Sequence, residues 1–114
     1  MTTASVNGIL LIYHRPALVQ DAATVVDNID AFARYSRFKV WGINTEYGFP
    51  PALGDLNFRV IVLHYSLFGG GTYFIDPRFQ DYLDKSKTSH KIGFFQDEFR
   101  YCQKRFGFLN RYGV

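Results

Sequence analysis

Polar side chains stand directly after apolar runs at three places in this chain. Residues 6–13 lead into His14 and Arg15, residues 60–63 into His64, Tyr65 and Ser66, and Lys91-Ile-Gly-Phe-Phe into Gln96, Asp97 and Glu98. A neutral imidazole at His64 can take a proton from a hydroxyl or hydrogen-bond to one; the plainer alternative is a histidine satisfied by neighbouring backbone. Glu98 is assigned to the same crevice, and His64 and Glu98 are the candidate catalytic pair. Asp97 is assigned to the cap of the helix that follows; the plainer alternative is that both acids complement that helix's positive end. Gln96 and Ser66 suit a hydroxyl-rich ligand, and Ser66 lies in no nucleophile-elbow sequence. His14 and Arg15 offer an anion contact, against a simple turn set by Arg15-Pro16. Gly70, inside Gly69-Gly70-Gly71, can bring backbone amides to a phosphate or sugar. No phosphate-loop lysine follows it, and a flexible loop is the competing reading. His14, His64 and His90 share no metal-ligand spacing, so neither a metal nor a cofactor is expected.

The elements that must hold these groups are legible from periodicity. Residues 6–13 form a continuous apolar run, which suits a central parallel strand. Asp21 can cap a helix over 21–36, with Ala22, Val25, Val26, Ile29, Phe32 and Ala33 as its apolar stripe. A second strand is expected over 38–44. A loop holding Gly48, Pro50, Pro51 and Gly54 follows, with one helical turn after Pro51. A third strand is expected over 58–65 and a loop over 67–75. Asp76-Pro77 then reads as an N-cap and first helical residue, with Phe79, Tyr82 and Leu83 as the buried side. A fourth strand over 91–95 leads to a last helix carrying Phe99, Cys102, Phe106 and Leu109, ended by Gly113.

This alternation predicts a three-layer α/β, Rossmann-like domain with a small, mostly parallel four-stranded sheet and helices on both faces. Such sheets bind ligands at the carboxyl ends of their strands, which is where the polar clusters fall. A phospho-receiver domain is excluded, because it needs acids after strand one and an Asp ending strand three. A flavodoxin is excluded because His14-Arg-Pro-Ala-Leu18 is no phosphate loop.

The 114 residues fit one domain spanning 1–114. Aromatic residues make up 18% of the chain, more than a core of this size easily hides, so some rings are expected on the surface, in a groove or against a missing partner; a Phe-rich core is the competing reading. The net charge of +3 comes without a dense Lys/Arg run, so nucleic acid is not an expected partner; weak contact with a membrane surface is compatible. The single cysteine, Cys102, allows no internal disulfide and fits a reducing compartment. The N-terminus has no basic region ahead of its short apolar run, so a cytoplasmic location is expected, including the inner face of the membrane.

Val60-Ile-Val-Leu-His-Tyr-Ser66, followed by Lys91-Ile-Gly-Phe-Phe-Gln-Asp-Glu-Phe-Arg100, resembles the N-terminal half of bacterial glycosyltransferases of GT-B architecture. Ile9-Leu-Leu-Ile-Tyr-His14 and Phe38-Lys-Val-Trp-Gly-Ile-Asn44 are similar to the first two βα units there. The resemblance implies two Rossmann-like domains across a cleft, the N-terminal one shaping the acceptor site and the C-terminal one holding the nucleotide sugar. It implies transfer of a sugar to a hydroxyl acceptor, a sugar or glycolipid, without a bound divalent metal. The second domain is lacking here, so the chain is expected to be the N-terminal part of a longer protein, inactive alone. The helix ending near Val114, where a further strand would follow, points the same way.

Two other readings stay open. One is a standalone binding or interaction module using Tyr47, Phe49, Tyr73 and Phe74. The other is a small hydrolase using His64 with Asp97 or Glu98. Sheet edges left open by a small sheet favour self-association.

Overall fold

A computed structural model describes residues 4–15, 38–69, 72–93 and 102–114. The expected helix over 21–36 lies outside these residues, as do Gly70, Gln96, Asp97 and Glu98.

The centre is a four-stranded parallel sheet of β1 (Ala4–Tyr13), β2 (Val40–Asn44), β3 (Leu56–Leu63) and a last strand, His90–Gly93. Between β3 and that last strand stand β4 (Phe68–Gly69) and β5 (Thr72–Tyr73), a short antiparallel pair. The last strand is therefore β6. The strand order is β2-β1-β3-β6, and all three pairings are parallel. The chain leaves β1 to one side for β2 and returns to its other side for β3. The topological switch point, where such sheets open their ligand crevice, thus lies between β1 and β3.

The expected small α/β domain with a parallel sheet is the observed one. Its boundaries differ in detail. β1 begins at Ala4 rather than residue 6, and its pairing with β3 slips between Val6 and Ile9. β3 runs two residues earlier than expected, so His64 stands just beyond its end and Tyr65 opens a 3-10 turn, Tyr65–Leu67. The stretch 67–75, expected as loop, contains the β4–β5 pair. Its glycines are flanked by Phe68, Thr72 and Tyr73, residue types that favour strands.

Alternation along the strands divides the apolar residues between two faces. Leu10, Ile12, Phe58, Ile61 and Leu63 join Leu53, Leu67, Ile75, Phe79, Tyr82 and Leu83 in the main core. Leu11 and Val62 form a smaller cluster on the opposite face with Ile9, Tyr13, Val40 and Val60. Helix α1 (Pro77–Lys85) starts where the sequence predicts: Asp76 Oδ1 accepts from the N–H groups of Arg78 and Phe79. Helix α2 (Cys102–Tyr112) lays Phe108 and Tyr112 on the main core and ends at Gly113, whose φ of 68° is the left-handed cap glycine adopts freely. An Arg111–Asp84 ion pair at 2.7 Å joins the two helices at the surface. The 3-10 turn Pro51–Asp55 is the single turn expected after Pro51.

One glycine is required by a close approach. A Cβ on Gly8 would stand 2.4 Å from the Trp41 ring and 2.8 Å from the Lys39 carbonyl oxygen.

Among the described residues no helix is long and apolar enough to cross a membrane.

Candidate functional site

His14 follows the carboxyl end of β1, Asn44 is the last residue of β2 with Thr45 and Glu46 after it, and His64 and Ser66 follow β3. The Ser66 hydroxyl bridges the switch point. Its Oγ accepts from the His14 backbone N–H at 3.0 Å and lies 2.9 Å from His64 Nδ1. The Ser66 backbone N–H also donates to that nitrogen, at 3.1 Å. A backbone N–H can only donate, so Nδ1 is an acceptor and the neutral ring carries its proton on Nε2. The Ser66 O–H then donates to Nδ1 while its oxygen receives the His14 N–H, which satisfies every group in the chain of bonds. His64 is fully buried, and burial pushes its imidazole down from 6.5 to about 4, so it is neutral at physiological pH.

Asn44 does the equivalent work between β1 and β2. Its side-chain amide accepts from Arg15 N–H at 2.9 Å and donates to Arg15 C=O at 2.8 Å, extending the ladder past the strand ends. The same Oδ1 accepts from Glu46 N–H and caps the turn Thr45–Tyr47. That turn aims Thr45 and Glu46 at the His14 ring. His14 Nδ1 lies 3.0 Å from Thr45 Oγ1, and Nε2 lies 3.7 Å from Glu46 Oε2. The flat of the imidazole rests on Phe74, centroids 4.0 Å apart and planes 6° apart. The ring is thus fixed on two edges and one face.

These groups open onto a cavity of about 240 Å³ lined by His14, Thr45, Glu46, Tyr73, Phe74, Ile75 and Asp76. It combines an imidazole, a hydroxyl and two carboxylates with an aromatic wall. Such a set binds hydroxyl groups by donating to and accepting from them, while the ring covers an apolar face of the ligand.

Of the residues expected to form a site, the structure brings His14, His64 and Ser66 into one bonded chain. Arg15 is adjacent and exposed, its backbone held by Asn44. Sequence reasoning missed Asn44, Thr45, Glu46 and Asp76. Asn44-Thr-Glu does follow an apolar strand, the same signal that picked out His14 and His64. The glycines and prolines after it mark the stretch as loop and mask that signal. At Asp76 the Asp-Pro pair signals capping alone, and only the fold brings the residue to the cavity.

Among the described residues no group of three or more His, Cys, Asp or Glu is placed to hold a metal ion. Comparison with known protein families, curated proteins and solved structures finds no match for this chain.

Proposed function

We propose that this chain is the acceptor-side domain of a glycosyltransferase, which moves a sugar from a nucleotide sugar to a hydroxyl acceptor and depends on a separate donor-binding domain for turnover. The observation that carries the reading is the cavity at the carboxyl ends of β1 and β2, where His14, Thr45, Glu46 and Asp76 meet the Phe74 ring. Glycosyl transfer needs a proton removed from the acceptor hydroxyl as the new bond forms. Here that proton has a path through Thr45 Oγ1 to His14 Nδ1, and the Glu46 carboxylate beside Nε2 stabilises the resulting imidazolium. The base role therefore belongs to His14, at the cavity, and His64, fully buried on Ser66, positions the His14 backbone.

A binding module built on exposed aromatics is the second reading, and Tyr47, 75% exposed and next in sequence to the cavity residue Glu46, favours it. The other rings available to it are more committed: Phe49 packs on Phe79 and Tyr82, and Tyr73 on Phe108.

Saturation-transfer NMR with simple hexose glycosides and, separately, with nucleotides tests the proposal. Saccharide signals should be saturated, and a Thr45→Val substitution should remove the effect. Saturation of nucleotides alone would reject an acceptor-side role. The enzymatic part is read from transfer of label from nucleotide sugars by the protein joined to a donor-binding domain, with His14→Asn lowering the rate at least a hundredfold, on the order expected for loss of a general base.

A further inference from the structure

At the other end of the sheet a cavity of about 650 Å³ lies between the turn Pro51–Asp55, the first residues of β3, and α1 with the loop that follows it. It shares no lining residue with the cavity around His14. Its volume falls within the roughly 300–1,000 Å³ typical of small-molecule sites. Phe49, Leu56 and Tyr82 supply its inner, half-buried or buried surface, and Pro51 an outer wall.

The polar groups within it are already engaged with one another. The Tyr82 hydroxyl donates to Leu56 C=O at 2.8 Å, and burial pushes that phenol up to about 12. Asn57 Nδ2 donates to Thr88 Oγ1 at 3.0 Å. What remains for a ligand is apolar surface inside and charge at the mouth. Arg78, Lys85 and Lys87 are exposed there, against the single acid Asp81. Among the described residues Arg78 and Lys85 make no ion pair, and Lys87 meets Asp84 only at 3.9 Å.

We propose that this cavity binds a small amphipathic anion, with an apolar body against Phe49, Leu56 and Tyr82 and a phosphate or carboxylate held by Arg78, Lys85 and Lys87. An apolar floor with three cations and one acid at its mouth selects against both neutral amphiphiles and bare anions, because each forfeits one half of the contact. The Gly54 position gives access to the floor: a Cβ there would meet only the Phe49 ring, at 4.0 Å, so a larger side chain fills the cavity without displacing backbone.

The test is titration with hexyl phosphate, hexyl glucoside and inorganic phosphate, followed by the amide resonances of Asn57 and Thr88. Hexyl phosphate should bind and shift both resonances, and the other two should bind at least about tenfold more weakly, as expected when one half of the contact is absent. The double variant Lys85→Ala, Lys87→Ala should weaken hexyl phosphate about tenfold through lost charge-assisted contacts, and Gly54→Leu should block it sterically. Both variants should keep the native melting temperature within a few degrees, which separates lost binding from lost folding. Hexanoate in place of hexyl phosphate distinguishes a carboxylate from a phosphate head. Equal affinity for hexyl glucoside, unchanged affinity in both variants, or no binding at all overturns the proposal. Binding to anionic lipid vesicles but not to hexyl phosphate also overturns it, and would assign this face to a bilayer.

Discussion

The His14 imidazole lies flat on the Phe74 ring, with centroids 4.0 Å apart and 6° between the planes. The contact joins the end of β1 to the residue just after β5, so a ring expected in a loop fixes a group at a strand end. Phe74 is 38% exposed, and its replacement costs little core burial. Phe74→Leu should therefore change stability by less than about 1 kcal/mol, the usual scale for a partly exposed site. It should weaken saccharide binding severalfold, because the imidazole is no longer held in the plane that Thr45 and Glu46 address. Parallel denaturant melts and saccharide titrations read the two effects separately. A loss of stability with unchanged affinity would make the stack purely structural.

Ser66 carries two strand ends on one hydroxyl. Ser66→Ala leaves the His14 N–H without its acceptor and takes one donor from the buried His64 Nδ1. Removing one partner of a buried polar group costs on the order of 1–3 kcal/mol. Ser66→Thr retains the hydroxyl and should recover most of the loss. If urea denaturation gives alanine and wild-type proteins the same midpoint, the bridge contributes nothing to folding.

His64 makes stability depend on pH in a definite direction. Burial lowers its folded-state value from 6.5 to about 4. Between these two values the unfolded chain binds a proton that the folded chain does not, so stability rises with pH across this window. This contribution is intact above about pH 6.5, falls progressively as the pH drops, and is exhausted below about pH 4. At 1.36 kcal/mol per unit the full loss over these two and a half units is on the order of 3 kcal/mol. His64→Asn keeps an acceptor for the Ser66 N–H but cannot titrate. The slope of unfolding free energy between pH 6.5 and 4 should be shallower in that variant; an unchanged slope assigns the dependence to other groups.

Gly8 admits no side chain without movement of Trp41 and of the Lys39 backbone. The carbonyl oxygen, unlike a flexible side chain, cannot swing away. Gly8→Ala should destabilise by about 1–3 kcal/mol, the usual cost of overpacking a fitted contact. A thermal melt measures it. In a Trp41→Leu background, itself destabilised by loss of the ring's packing on Phe58, Gly8→Ala should cost less than in the native chain but still destabilise, because the carbonyl clash remains.

Much of the fold was legible in order. The apolar run ending at Tyr13, the Asp76-Pro77 start of α1 and the Gly113 end of α2 depend on neighbours close in the chain, through periodicity, capping and the backbone freedom of glycine. The run at 60–63 was equally clear, but the end of β3 was not. It is set by pairing with β1, and His64 N–H bonds Ile12 C=O beyond the last strand residue. The β4–β5 pair was hidden by the glycines between its strands.

The sequence by itself determined that His14, His64 and Ser66 follow apolar strands, because each strand is recognised by local composition and the polar groups stand at its end. Only the tertiary structure decided which of these groups face one another. Thr45 and Glu46 reach His14, and Asn44 reaches Arg15, because β2 pairs beside β1; Ser66 reaches both histidines because β3 pairs on the other side. The exposure of each ring was likewise decided there: His64 is buried and neutral, while His14 borders a cavity. Strand order and burial are long-range outcomes, set by packing among segments far apart in the chain, and no local pattern encodes them.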